Sequence, residues 1–117
     1  MSWDADLVER CITCGHANEI GSWNYTHNCN QMLACVVKDM GHTLEHTSWF
    51  EVLHGLNGKD GSAFLHEVVL RLEAEPNRFR GMNPENGWGS YDTLLSSLRA
   101  MLFASNDNPE AVWEVCG

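Results

Sequence analysis

Positive charge is scarce in this chain. Seven lysines and arginines face 16 aspartates and glutamates, giving a formal net charge of −9 over 117 residues. A phosphate backbone would meet a repulsive mean field, so general nucleic-acid binding is disfavoured. Arg78 and Arg80 form a local basic pair, which is too small to make a groove. Long apolar runs are lacking as well. No stretch approaches the roughly 18 apolar residues of a membrane span. The start, MSWDADLVER, has no basic segment leading into an apolar one. Neither a membrane partner nor an export signal is expected, and a cytoplasm is the expected location. Signatures of nucleotide and nucleophile chemistry are also missing: GxxxxGK(S/T), GxGxxG and GxSxG do not occur. Carboxylates abound, but no spacing pairs two of them for acid–base work.

What is present fits one domain spanning 1–117, with 44% hydrophobic residues, enough for a real core. Residues 7–13, LVERCIT, read as a short strand, and CGHANEIGSW after it reads as a loop broken by Gly15 and Gly21. Met32, Leu33, Val36, Val37 and Met40 recur at helical spacing, with Thr26 or Asn28 as the cap before them and Gly41 as the stop. Residues 46–55, HTSWFEVLHG, suit a short helix carrying Trp49, Phe50 and Leu53. LNGKDGS reads as a loop, and a helix over about 62–75 should follow it, capped by Asp60 or Ser62 and ended by Pro76. Leu65, Val68, Val69 and Leu72 form its apolar stripe. A last helix over about 90–104 turns Leu94, Leu95, Leu98, Met101 and Leu102 inward, and AVWEVC alternates as a final strand. The expected fold class is α+β, with about four helices and terminal strands paired antiparallel in a small sheet.

Five cysteines, Cys11, Cys14, Cys29, Cys35 and Cys116, make an odd number. With no export signal this argues against a disulfide framework and for reduced thiols. Cys11-x-x-Cys14-Gly15-His16 has the form of a zinc half-site, because the glycine lets backbone amides face the sulfurs. Cys11, Cys14, His16 and Cys29 are the candidate ligands of a structural zinc, with His27 and Cys35 as further donors. The bland alternative is free thiols, with Cys11 on a strand and Cys35 buried in a helix. His42-Thr43-Leu44-Glu45-His46 spells HxxEH, the inverted zinc-peptidase motif. It is rejected: Gly41 reads as a helix stop, and such peptidases are far larger chains.

Two polar stretches are placed alike, each opening an expected helix. Asn24, Tyr25, Thr26, His27 and Asn28 precede the first, and Asn83 to Tyr91 precede the last. Helix starts carry backbone N–H groups without helical partners, which can bind an anion or a carbonyl. Asparagines donate and accept together, while Trp88 and Tyr91 offer stacking faces with polar tips. If the two starts meet, Asn24, Thr26, His27, Asn28, Asn86, Trp88, Ser90 and Tyr91 would line one pocket. Caps and turns explain the same residues without a ligand.

These stretches carry a resemblance. Asn24-Tyr25-Thr26-His27-Asn28-Cys29-Asn30-Gln31-Met32 fits N-(I/Y)-T-x-N-x-x-x-M, and Asn83-Pro84-Glu85-Asn86-Gly87-Trp88-Gly89-Ser90-Tyr91-Asp92 fits N-P-x-N-G-W-G-(S/T)-Y-(D/E). Over about residues 20–113 the chain resembles a family of small, uncharacterised bacteriophage and prophage proteins. The resemblance implies a cytoplasmic accessory protein. Neither CxxCG nor HTLEH belongs to the shared pattern. The function expected is non-enzymatic binding of a small polar ligand, a nucleotide or metabolite. The alternative is a protein–protein module acting on a host factor, with or without zinc. A hydrolase or transferase using His27 or Cys29, or a Cys29 dyad with His54, is a third reading.

Overall fold

The computed structural model describes residues 2–11, 13–26, 30–41, 52–83 and 89–116. Among them the chain is α+β, as read from the sequence. A three-stranded antiparallel sheet in the order β2-β1-β3 is built from β1 (Ser2–Arg10), β2 (Ala17–Thr26) and β3 (Val112–Cys116). Four helices are described: α1 (Asn30–Asp39), α2 (Gly58–Ala74), α3 (Pro76–Arg80) and α4 (Tyr91–Asp107). The terminal strands do pair antiparallel, with Ala5 opposite Val115 and Leu7 opposite Trp113.

β1 starts earlier than the expected 7–13 and ends at Arg10. Its pattern is period two from the outset: Trp3, Ala5 and Leu7 are buried, while Asp4 is exposed and Asp6 half-buried. The segment expected to be a loop is instead a strand, β2, which pairs with β1 from Ser2–Thr26 to Arg10–Ala17. A bulge lies where Leu7 pairs with Gly21 but Val8 pairs with Glu19, leaving Ile20 unopposed. Gly21 is needed there because a Cβ would stand 2.5 Å from the Trp23 indole. Trp23 in turn meets Trp113 at a centroid distance of 5.5 Å, tilted by 48°.

The outer edge of β3 is closed by the chain just before α2. Gly55 N donates to Trp113 O at 2.8 Å, Trp113 N to Leu56 O at 2.9 Å, and Val115 N to His54 Nδ1 at 3.0 Å. α2 begins at Gly58, four residues before Ser62, with Asn57 rather than Asp60 or Ser62 as its cap: Asn57 Oδ1 accepts from Asp60 N at 2.7 Å. The glycines of GKDG mark close packing rather than a loop. A Cβ on Gly58 would lie 1.9 Å from Asn108 O, and one on Gly61 would lie 2.6 Å from the Trp113 indole. Buried Ser105 ties this corner together, donating to Gly58 O at 2.6 Å and accepting from Trp113 Nε1 at 3.0 Å.

The helices bury the expected stripes on the inner face of the sheet. Leu65, Val68, Val69 and Leu72 of α2 pack with Leu94, Leu95, Leu98 and Met101 of α4, while Leu102 is half-buried at the margin. α1 adds Met32, Leu33, Val36 and Val37, and Gly41 after it takes φ +96°, the left-handed stop its position suggested. Of the expected helix over 46–55, Val52 and Leu53 are helical and Leu53 is buried, whereas Trp49 and Phe50 lie outside the described residues. No helix among the described residues is long and apolar enough to cross a membrane.

Candidate functional site

The two polar stretches do meet, but not as two helix starts. Asn24, Tyr25 and Thr26 are the end of strand β2, so Thr26 is not a helix cap. Strand alternation sends Asn24 and Tyr25 to opposite faces. Asn24 lies on the outer face, where its Nδ2 donates to Asp4 Oδ1 at 2.6 Å, and neighbouring Ser22 Oγ donates to Asp6 Oδ1 at 2.6 Å. Tyr25 turns inward beside Trp3, at a centroid distance of 6.0 Å.

The Tyr25 hydroxyl ends at the start of α4. It stands 3.2 Å from Ser90 N, which donates to it, and 3.2 Å from Ser90 O, and it bonds Thr93 Oγ1. Ser90 caps the helix. Ser90 Oγ accepts from Thr93 N at 3.2 Å, and Thr93 Oγ1 accepts from Ser90 N at 3.1 Å, forming a reciprocal capping box. Asn83 Oδ1 accepts from Tyr91 N at 2.8 Å. The Tyr91 and Thr93 amides at the start of α4 are thus taken by its own caps.

Tyr91 is a core residue. It is 2% exposed, stacks within 3° of parallel on Phe79 at 6.5 Å, and donates its hydroxyl to Leu72 O at 2.8 Å. Burial pushes the Tyr91 hydroxyl above the ordinary tyrosine range, against the opposing pull of Arg80. Arg80 covers the ring at 5.1 Å and bonds Asp92 Oδ1 at 3.0 Å, docking α3 onto α4. The pairing with Asp92 raises the Arg80 pKa.

Of the residues expected to line a pocket, Ser90 lies at the junction, Asn24 faces the other side of the sheet and Tyr91 is in the core. His27, Asn28, Asn86 and Trp88 lie outside the described residues, as does the Thr26 side chain. Tyr25 and Thr93 are the junction residues the sequence reading missed. Tyr25 stood inside the first motif, and Thr93 stood at the third helical position after a serine cap, where a capping-box partner belongs.

The metal candidates separate in the same way. Cys11 and Cys14 sit in the turn between β1 and β2, where Cys11 N donates to His16 O at 2.9 Å and Gly15 N to Cys11 O at 2.8 Å, with Gly15 at φ +70°. Both thiols are free and exposed. Hydrogen bonds to the Cys11 sulfur, foremost from the Cys14 backbone and thiol and then from Thr13, lower its pKa. Cys29, like His42 to His46, lies outside the described residues. Among the described residues no three His, Cys, Asp or Glu side chains converge as a metal site. Cys35 on α1 is half-buried rather than buried, and Cys11 lies just past the end of β1 rather than on a strand. For the Cys29–His54 dyad, His54 Nδ1 is already engaged by Val115 N at the sheet edge.

The basic pair is neutralised. Arg78 bonds Glu75 at 2.8 Å and Asp39 at 3.2 Å, and Arg10, Arg71, Arg80 and Arg99 are likewise each paired with a carboxylate. All five arginines are among the described residues, and each has a carboxylate partner. No family model, curated protein or solved structure matches this chain.

Proposed function

We propose that this is a non-enzymatic binding module of phage or prophage type that takes a small polar ligand, a nucleotide or metabolite, beside the junction of β2 and α4. One observation carries the reading: the Tyr25 hydroxyl joins Ser90 across 65 residues of sequence. That contact anchors the ends of both polar motifs to each other. His27, Asn28, Asn86 and Trp88, the motif residues with the recognition chemistry, flank the two anchored ends in sequence.

The test is a thermal-shift panel of nucleotides and polar metabolites. A true ligand at 100 to 1,000 times its Kd should stabilise the fold by roughly 2.7–4.1 kcal/mol. Trp88→Ala and His27→Ala should remove that shift while leaving the ligand-free transition in place. If no compound shifts the transition, the reading fails. The protein–protein alternative, for which the 69% exposed Phe103 offers an anchor, then takes its place.

A further inference from the structure

On the face of the sheet turned away from the helices, two carboxylates oppose each other. Asp6 of β1 pairs in register with Glu114 of β3. Like charges placed directly across a strand pair weaken a sheet, so the fold itself gains nothing from this arrangement. The neighbouring row has the same character. Asn24, Asp4 and Cys116 lie side by side across the three strands, as do Ser22, Asp6 and Glu114, while Trp3, Ala5, Trp113 and Val115 point the other way into the core. Asp4, Ser22, Asn24, Glu114 and Cys116 are exposed. Asn24 Nδ2 donates to Asp4 and Ser22 Oγ to Asp6, both at 2.6 Å, which orients the two carboxylates but leaves their charge intact. Arg10 bonds Glu114 at 2.8 Å, whereas these partners of Asp4 and Asp6 are neutral.

We propose that this face docks a basic, extended segment of a partner protein, whose lysine or arginine side chains lie over Asp4 and over the Asp6–Glu114 pair. Charge selects the sign of the occupant. The face sets Asp4, Asp6 and Glu114 against Arg10, so it attracts a cationic surface and repels an acidic or phosphate-bearing one. A second copy of the chain would bring the same acidic rows against themselves and is disfavoured on the same ground. Spacing selects an extended segment. Asp4 and Asp6 are two residues apart on one strand, about 7 Å at strand rise, and alternate side chains of an extended peptide repeat at that same distance. Shape agrees with both. Beside the carboxylates lies a cavity of about 390 Å³ whose lining includes Asp4, Asp6, His54, Glu114 and Cys116. Val112, 40% exposed at its margin, offers an apolar shelf to the aliphatic stem of a long cationic side chain. A cation seated between Asp6 and Glu114 also removes their opposition, so docking relieves a repulsion present in the free fold.

The full chain, reduced and isotope-labelled for NMR, should be titrated with an end-capped peptide of alternating arginine and threonine. The expected result is saturable movement of the Asp4, Asp6 and Glu114 amide signals, with binding that weakens as KCl is raised. Asp6→Asn should weaken binding about tenfold, the scale of one lost hydrogen bond to a charged group. Its peptide-free thermal transition should not fall, because the substitution also ends the repulsion with Glu114. Glu67→Gln removes the same charge from α2, behind the sheet, and should leave the affinity within about twofold. A peptide of the same composition with its arginines in one run should bind more weakly than the alternating one. No movement at the three amides, movement on α2 or α4 in their place, equal affinity in Asp6→Asn, equal affinity for the two peptides, or a peptide-free dimer that shifts the signals of this face would each overturn the proposal. The Tyr25 junction lies on the opposite face of the sheet and is read by the thermal-shift panel, so either proposal can fail alone.

Discussion

At the scale of single residues, Ser105 shows how much one hydroxyl can hold. It is fully buried and joins three elements: it donates to Gly58 O at the start of α2, accepts from Trp113 Nε1 on β3, and sits on α4 itself. Replacing it with alanine leaves a buried indole N–H without its acceptor. An unsatisfied buried group costs about 1–3 kcal/mol. Ser105→Ala should therefore lower the urea-unfolding free energy by about that amount with an unchanged denaturant slope. A loss below about 0.5 kcal/mol would mean that the corner does not depend on this bond. A serine near the end of a helical pattern gives no sign of this role. Its importance comes from Gly58 and Gly61, whose missing side chains let α2 approach Asn108 and Trp113, and those glycines read as a loop because close approach is a tertiary fact.

At the scale of elements, α2 and α4 meet through Tyr91, and that contact has a pH signature. Burial raises the Tyr91 pKa in the folded chain above the ~10 of an exposed tyrosine. The fold therefore favours the neutral hydroxyl, which also donates to Leu72 O. Its contribution is complete below pH ~10 and is lost as pH rises from there towards the folded value, because the unfolded chain releases its proton first. Stability measured from pH 8 to 11 should fall more steeply in the wild type than in Tyr91→Phe, and parallel slopes would refute the coupling. The helices themselves were legible because each carries a continuous apolar stripe of period 3.6. β2 was not, for a definable reason: the bulge at Ile20 shifts the parity of its inward residues, so Trp23 and Tyr25 lose phase with what precedes Gly21. Reading β2 as a loop then turned Asn24–Thr26 into a helix start. The proximity of the two motifs was legible in part, through their shared polar character. The residue that joins them, Tyr25, was hidden because its inward direction depends on being in a strand.

At the scale of the whole molecule, charge acts in two opposing ways. The arginines all engage carboxylates, with both partners partly open to solvent, and each such pair contributes about 0–1 kcal/mol. Against them stands a net charge of −9, whose self-repulsion weakens the compact state. Added salt screens both, but unequally. The pairs are in contact at 2.6–3.2 Å, well inside the ~10 Å Debye length at 0.1 M, whereas the repulsion is spread over the whole surface and is screened more completely. Repulsion should therefore dominate the salt response. Raising KCl from about 10 to 150 mM, a shift in Debye length from roughly 30 to 8 Å, should stabilise the chain. A gain on the order of 0.5 kcal/mol would appear as a rise of about 2 °C in Tm at this size. A Tm that falls with salt would mean that the arginine pairs, rather than the acidic excess, set the electrostatic balance of the fold.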